Sequence, residues 1–535
     1  MTQRVVIVGS GPIGATFARR ILEGDDGATV LMVELGPQLT ERPGMNLRNV
    51  ADASERDAAR TAAQGPQANG GVQALAGHIV QEGTITARHG THLVDFGGPG
   101  SGHAPSFPAA ALATCVGGQG AHWTCATPEP RYSERIVFIP DDEWDAHLRD
   151  AEALLHVTHT AFQDSPIGRA INARLTDTFA DEFPADSAPS ILPVAADERP
   201  DGTVYWAGTD TVLGPLTDAD GPFADRFELR AGTLARRVLH DDGTATGVLL
   251  EDVATGRRYE EHADTVVLAA DAFRTPQILW ASSIRPRALG HYLTEHPLVF
   301  SVIGLAEETM RRYATTEDLE RELARRALNP ADPVSAVNRL PFWDPDHPFA
   351  GQFMYTDRTP FPLAEGSPWA GNAWGYVTAG YGMRKLPRYE DAVTFSDTGT
   401  DYLGMPTMTV DYALTEHEER EIEQAKQYLT RAAESLGGFV PGGEPRLMPA
   451  GTSLHYQGTL RAGAVDDGTS VCDSWSRVWG TRNLIVGGNG VIPTATAANP
   501  TLTSVALAVR AADRLLAEKT AEHAATSDHA VAVGA

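Results

Sequence analysis

The sequence predicts an α/β protein: a parallel, Rossmann-like domain assembled from separated stretches of chain, with a second, α+β domain set among them. Three observations lead there. Residues 4–24, RVVIVGSGPIGATFARRILEG, pass from an apolar strand through a glycine turn into a helix with Ile13, Phe17, Ile21 and Leu22 on one face, which is how a βαβ unit opens. A second glycine-rich strand and turn, LIVGGNG, comes at residues 484–490. Between them, residues from about 300 to 445 carry many aromatics and prolines without βαβ alternation, as a separate sheet-containing domain would.

The elements follow in chain order. A second strand, ATVLMVE, ends at Glu34. Residues 51–110 are rich in Gly, Pro and Ala with weak periodicity, and read as surface excursions with at most one short helix. The loop GGQGAHWTCATP covers Gly117–Pro128, and DDEWDAHLRDAEALL after it has the acidic start and apolar spacing of a helix. Residues 227–271 read as antiparallel strands about a DDG turn, followed by a buried strand. From residue 484 the pattern returns to strand, turn and helix. The tail after about Thr520 is small and polar, and is expected to be disordered.

Composition bounds the function. At 535 residues the chain exceeds what a single core supports, and 42% hydrophobic with 21% charged residues is ordinary for a soluble protein. The formal charge of −27 opposes a nucleic-acid partner, and no apolar run is long enough to span a bilayer. A strand pattern begins almost at the N-terminus, leaving no room for a signal peptide, and three cysteines (Cys115, Cys125, Cys472) suit a reducing compartment. A cytoplasmic location is expected.

Gly9, Gly11 and Gly14 form G-x-G-x-x-G between strand and helix. The first permits the tight turn, the second lets backbone approach a pyrophosphate, and the third lets helix and strand pack closely. The helix N-terminus offers free N–H groups and a positive dipole end to phosphate. Glu34, 20 residues beyond Gly14, can accept from ribose hydroxyls. The motif alone does not choose between NAD and FAD; Gly487, Gly488 and Gly490 suit a second approach to a large cofactor. His122 and Cys125 lack a second ligand pair at usable spacing, so no metal is expected.

The chain resembles the glucose-methanol-choline (GMC) flavin oxidoreductases, and within them the pyranose oxidases and bacterial glycoside oxidases. The resemblance runs along most of the chain, through VVIVGSGPIGATFARR, CVGGQGAHWTCATP, VVLAADAFRTPQIL, LGHYLTEHPLVF, SLHYQGTLRAG and LIVGGNGVIPTATAANPTLTSVALAVRAA. It implies an FAD-binding domain made of residues 1–160, 225–300 and 446–520, a substrate domain of 161–224 and 301–445, and a tail at 521–535. It implies FAD contacts at Gly9, Gly11, Pro12, Ile13, Gly14 and Glu34, then at Gly117, Gly118, Trp123, Cys125, Ala126 and Leu234. Further contacts are implied at Gly488, Asn489, Asn499, Pro500 and Thr501. Thr124 takes the position beside flavin N5. His122 matches a position that in some relatives bonds covalently to the flavin; a packing role is the alternative.

The implied reaction oxidises a secondary alcohol, C3 or C2 of a pyranose or glycoside, to a ketone. Hydride goes to the flavin, and O2 or another acceptor such as a quinone takes the electrons; a non-redox lyase is the remaining alternative. A neutral imidazole suits the hydroxyl proton, and His455 matches the family's catalytic His. Asn499 matches its partner, although an Asn-Pro before an apolar run also caps helices. Gln352 matches a sugar-contacting Gln, with Met354 and Thr356 replacing the usual polar pattern beside it. Trp374 and the other aromatics of residues 352–377 are expected to form a mouth that stacks on sugar and aglycone faces, which favours C3 oxidation of glycosides; the alternative is that they form that domain's own core. His296 is expected to hold the loop beneath the flavin, and Asp271 stands where the family has Gly. The chain is expected to be a monomer or small homo-oligomer.

Overall fold

The computed structural model describes residues 3–64, 106–107, 109–110, 112–329 and 336–533. The expected excursions of residues 51–110 fall largely outside this set; inside it lies the short helix Ala53–Gln64.

The strand Gln3–Val8 buries Val5, Val6, Ile7 and Val8, and a sheet needs such continuous burial when both faces are covered. It pairs in parallel with Ala28–Val33 on one side and Thr265–Leu268 on the other. Leu484–Val486 extends the sheet beyond Thr265–Leu268. The fifth strand corrects the sequence reading. Phe227–Arg230 is no part of the antiparallel meander; it runs parallel to Ala28–Val33 at the sheet edge, where it satisfies backbone groups that strand would otherwise leave open. The meander proper is Thr233–Asp241, Thr244–Asp252 and Arg258–His262. The helix Pro12–Gly24 packs on the sheet through Phe17, Ile21 and Leu22.

The second domain is an antiparallel sheet built from Leu298–Leu305, Phe349–Thr356, Tyr376–Met383 and Val337–Leu340. The helices Pro166–Thr178 and Glu416–Leu436 cover one face and form a core with it. This core does not follow the 161–224 boundary. Val194, Ala196, Trp206, Val212 and Leu213 belong instead to the core of the parallel domain, because Val157–Thr158 and Val194–Glu198 pair there.

The C-terminal pattern differs from expectation in two ways. Gly488 leads only into the short 3-10 turn Asn489–Val491, and the long helix begins at Thr501. That helix, Thr501–Val533, continues through most of the tail expected to be disordered; the tail is rich in Ala, the strongest helix former. Among the described residues no helix is long and apolar enough to cross a membrane.

Candidate active site

A cavity with about 1130 Å³ of empty space, open to solvent, lies at the C-terminal ends of the parallel strands, where ligands of such sheets sit. Gly9, Gly11, Pro12, Ile13, Glu34, Gly118, Leu234, Gly488 and Asn489 all line it. Gly9 has φ +103, and a Cβ there would stand 2.3 Å from Ala269 O. A Cβ on Gly14 would lie 2.1 Å from Gly9 O, so the helix packs this closely only with glycine. Gly11 and Gly488 instead leave open space: the nearest atom to a Cβ on Gly11 is 3.9 Å away, and on Gly488 nothing lies within 4 Å. These vacant backbone stretches fit a pyrophosphate.

Glu34 is buried rather than solvated. Its carboxylate accepts from Ser10 Oγ at 2.8 Å and from Gly36 N at 3.0 Å, and burial raises its pKa against those bonds. Ser10 Oγ also accepts from Gly117 N at 2.9 Å, so one hydroxyl ties the acid to the 117–126 loop. Ser10, Gln119 and Arg274 also line the cavity, and the motif reading missed them. Asp271 accepts from Phe273 N and Arg274 N at 2.7 and 2.8 Å; where a glycine would bend freely, this side chain fixes the turn at φ +133.

In the 117–126 loop, Trp123 Nε1 donates to Ala207 O at 2.7 Å and Cys125 is fully buried beside Asn46 Nδ2 at 3.4 Å. Thr124 is exposed. It lines a second, smaller cavity with Ala126, Arg48, Trp206, Gln352 and Met354. His122 turns elsewhere, with Nε2 3.6 Å from Cys115 Sγ, and burial lowers its pKa to about 4.

The structure brings His455, Asn499 and Gln352 into one run. Gln352 Nε2 donates to Asn499 Oδ1 at 2.5 Å, and Asn499 Nδ2 lies 3.4 Å from His455 Nε2. The Asn499 oxygen therefore faces Gln352 rather than capping the following helix. On the other side of the ring, His455 Nδ1 meets His296 Nδ1 at 3.0 Å. His296 Nε2 in turn meets Thr496 Oγ1 at 3.0 Å and Gln457 Nε2 at 3.1 Å. Burial lowers the His455 pKa to about 4, so the ring is neutral near pH 7 and able to accept a proton. Burial, and then the neighbouring His455, hold His296 well below its ordinary value too.

Two buried acids anchor the loops that carry this pair. Glu134 Oε1 accepts from Ala497 N at 2.7 Å and Ala498 N at 2.8 Å, directly before Asn499. Glu295 accepts from Gly451 N at 2.7 Å and Ser453 Oγ at 3.0 Å, just before His455; burial pushes its carboxyl up to about 8. Pro500 O accepts from Ser504 N at 2.9 Å as the long helix starts at Thr501, and Ser504 Oγ donates to Asn489 at 2.6 Å. Pro500 and Thr501 hold the helix start and do not line the large cavity.

Trp374 is a correction. It is 2% exposed, packed in the core of the antiparallel domain with Tyr355 and Val377, under the Arg311 guanidinium at 5.7 Å. Phe353, Tyr355 and Tyr376 are buried as well. Phe353, Tyr355 and Trp374 build that core, because alternate strand residues point inward, while Tyr376 on the other face packs with Val302 and Val440. The aromatics beside Thr124 and Gln352 are Phe162 and Trp206.

Two models of the GMC oxidoreductase family match the chain, over residues 222–298 and 387–508. A C-glycoside 3-oxidase of Microbacterium trichothecenolyticum is 42% identical, the match covering 97% of this chain and 97% of the relative. A C-glycoside 3-oxidase of Arthrobacter globiformis is 39% identical over 96% of this chain and 95% of its own length. A pyranose 2-oxidase of Tricholoma matsutake is 32% identical over 96% and 93%. Among solved structures, an Aspergillus oryzae formate oxidase shares the fold, with a TM-score of 0.63 at 15% identity, covering 96% of this chain and 98% of that one.

Proposed function

This chain belongs to the GMC oxidoreductase family, and on that premise we propose that it binds FAD and oxidises a ring hydroxyl of a pyranose glycoside to a ketone, at C3 rather than C2, with O2 reduced to H2O2. The observation that carries this reading is the run Gln352, Asn499, His455, His296, which joins the antiparallel sheet to the loops over the dinucleotide cavity. The C-glycoside 3-oxidases among the relatives support glycosides and C3.

The cavity residues would hold FAD through Gly11, Gly118 and Gly488 at the pyrophosphate and Glu34 at the ribose, while Thr124, which lines the smaller cavity beside Gln352, would face the ring. FAD, when bound, supplies the hydride acceptor. His455 takes the proton of the reacting hydroxyl at Nε2. In that form its own hydrogen sits on Nδ1 and is donated to His296, which fixes the ring plane. Asn499 and Gln352 orient the hydroxyl by hydrogen bonding. His122 is turned toward Cys115, and FAD is held without a covalent bond. Acid precipitation checks this: flavin should pass to the supernatant, and yellow colour left in the pellet, with FAD mass on the His122 peptide, would reverse it.

The reaction is tested by turnover of an aryl glucoside in air. A ketone at C3 by NMR and one H2O2 per ketone are expected. Anaerobic bleaching without reoxidation by air would instead make the enzyme a dehydrogenase.

A further inference from the structure

Two cavities meet at Gln352. One carries Thr124 and Trp206. The other, with about 350 Å³ of empty space, is lined by Gln352, Ala498, Glu129, Phe342 and Arg339. Arg339 stands directly opposite Gln352 in the antiparallel register of Val337–Leu340 with Phe349–Thr356, so both side chains leave the sheet on the same face, within reach of each other's ligands. Gln352 itself bonds Asn499. The Arg339 guanidinium is therefore one cross-strand step from the group that orients the reacting hydroxyl.

That guanidinium has little to hold it. Its Nε donates to Ser190 Oγ at 2.9 Å, and among the described residues no carboxylate lies within ion-pair distance. The contrast with neighbours is plain: Arg131 pairs with Asp186, Arg326 with Asp357, and Arg384 with Glu421 and Asp344. Burial and the nearby Arg131 cation disfavour the Arg339 charge, with Glu129 a partial offset. A largely buried cation without a counterion is unfavourable, and the planar guanidinium fork matches a carboxylate in two parallel hydrogen bonds. The chain as a whole carries −27, so anions are not drawn to this face by general attraction, and an anion subsite here would act locally.

We propose that Arg339 forms an anion subsite beside the reacting pair, taking a carboxylate carried by the glycoside. This rests on the glycoside-oxidase reading above. The carboxylate has two sources, C6 of a uronide or a ring position of the aglycone. Three substrates separate them: phenyl β-glucoside, phenyl β-glucuronide and 4-carboxyphenyl β-glucoside. Steady-state turnover is measured for the wild type, Arg339→Gln and Arg339→Lys, each checked for FAD content and melting temperature.

In Arg339→Gln, KM for one carboxylate-bearing substrate should rise at least tenfold, the scale of a charge-assisted hydrogen bond. KM for phenyl glucoside and kcat should stay within about twofold, on that same scale. Arg339→Lys, which keeps the charge without the fork, should fall between. The substrate that responds identifies the source. Equal KM changes for all three substrates, or none for any, overturn the subsite. If the wild type oxidises none of the three, the glycoside reading fails by itself. Calorimetric binding of the same compounds then decides the subsite: tenfold weaker binding of a carboxylate-bearing one in Arg339→Gln supports it, and equal affinities overturn it.

Discussion

His455 carries the sharpest expectations at the scale of single residues. His455→Ala should retain FAD and lose turnover by roughly 10²–10⁴-fold, the usual effect of removing a general base; near-normal turnover would place the base elsewhere. Its pH dependence has a definite sign. As the proposed base, His455 would act when neutral, and burial lowers its pKa to about 4. Turnover should therefore persist through pH 6 and fall only on approach to pH 4, where an ordinary imidazole would titrate near pH 6.5. A kcat/KM limb centred at 6.5 would contradict the burial of this ring. His455 was legible only through family resemblance, whereas Gly9, Gly14 and Glu34 were legible from spacing. The difference is physical. A strand, a glycine turn and a helix are local, so their periodicities are written in one stretch of chain. The environment of His455 is assembled from His296, Thr496 and Gln457, of which only Gln457 is a sequence neighbour.

Elements place these residues, and the 497–499 loop shows how. Glu134 reaches it across 363 positions to accept from Ala497 N, a link that no sequence pattern signals. Glu134→Ala should leave three backbone N–H groups, those of Arg131, Ala497 and Ala498, without this acceptor and release Asn499, lowering turnover at least tenfold, as unmade buried bonds imply. Glu134→Gln keeps an oxygen acceptor and should restore turnover to within a few-fold; equal loss in both variants would show that the charge, not the clamp, matters. The antiparallel strands carry the opposite lesson. Phe349–Thr356 alternates Phe353 and Tyr355 inward with Gln352 and Met354 outward. Period-2 alternation is present in the sequence there, set among many aromatics and prolines. The parallel pairing of Phe227–Arg230 lay beyond local reading, because sheet partners are chosen by tertiary packing.

At the scale of the whole molecule, the large cavity joins distant parts of the chain. Its lining comes from residues as far apart as Val8, Leu112, Leu234, Leu403, Tyr456 and Asn489, so bound FAD would bridge segments from end to end of the chain. A ligand that binds only the folded form stabilises it by mass action, about 2.7 kcal/mol at a hundredfold excess over Kd. Flavin-stripped protein should melt several degrees lower and recover as FAD is added back. Glu34→Ala should need more FAD for the same recovery, while its flavin-loaded fraction turns over normally. Melting that ignores FAD would remove the cavity from its assigned role.

Oxidation of a glycoside at C3 is the proposed reaction. Anaerobic flavin bleaching by 2-deoxyglucose, 3-deoxyglucose and an aryl glucoside tests it most directly. Bleaching by 2-deoxyglucose and the aryl glucoside, with none by 3-deoxyglucose, is the predicted result. Bleaching by 3-deoxyglucose alone would contradict it and assign the reaction to C2 of the free sugar.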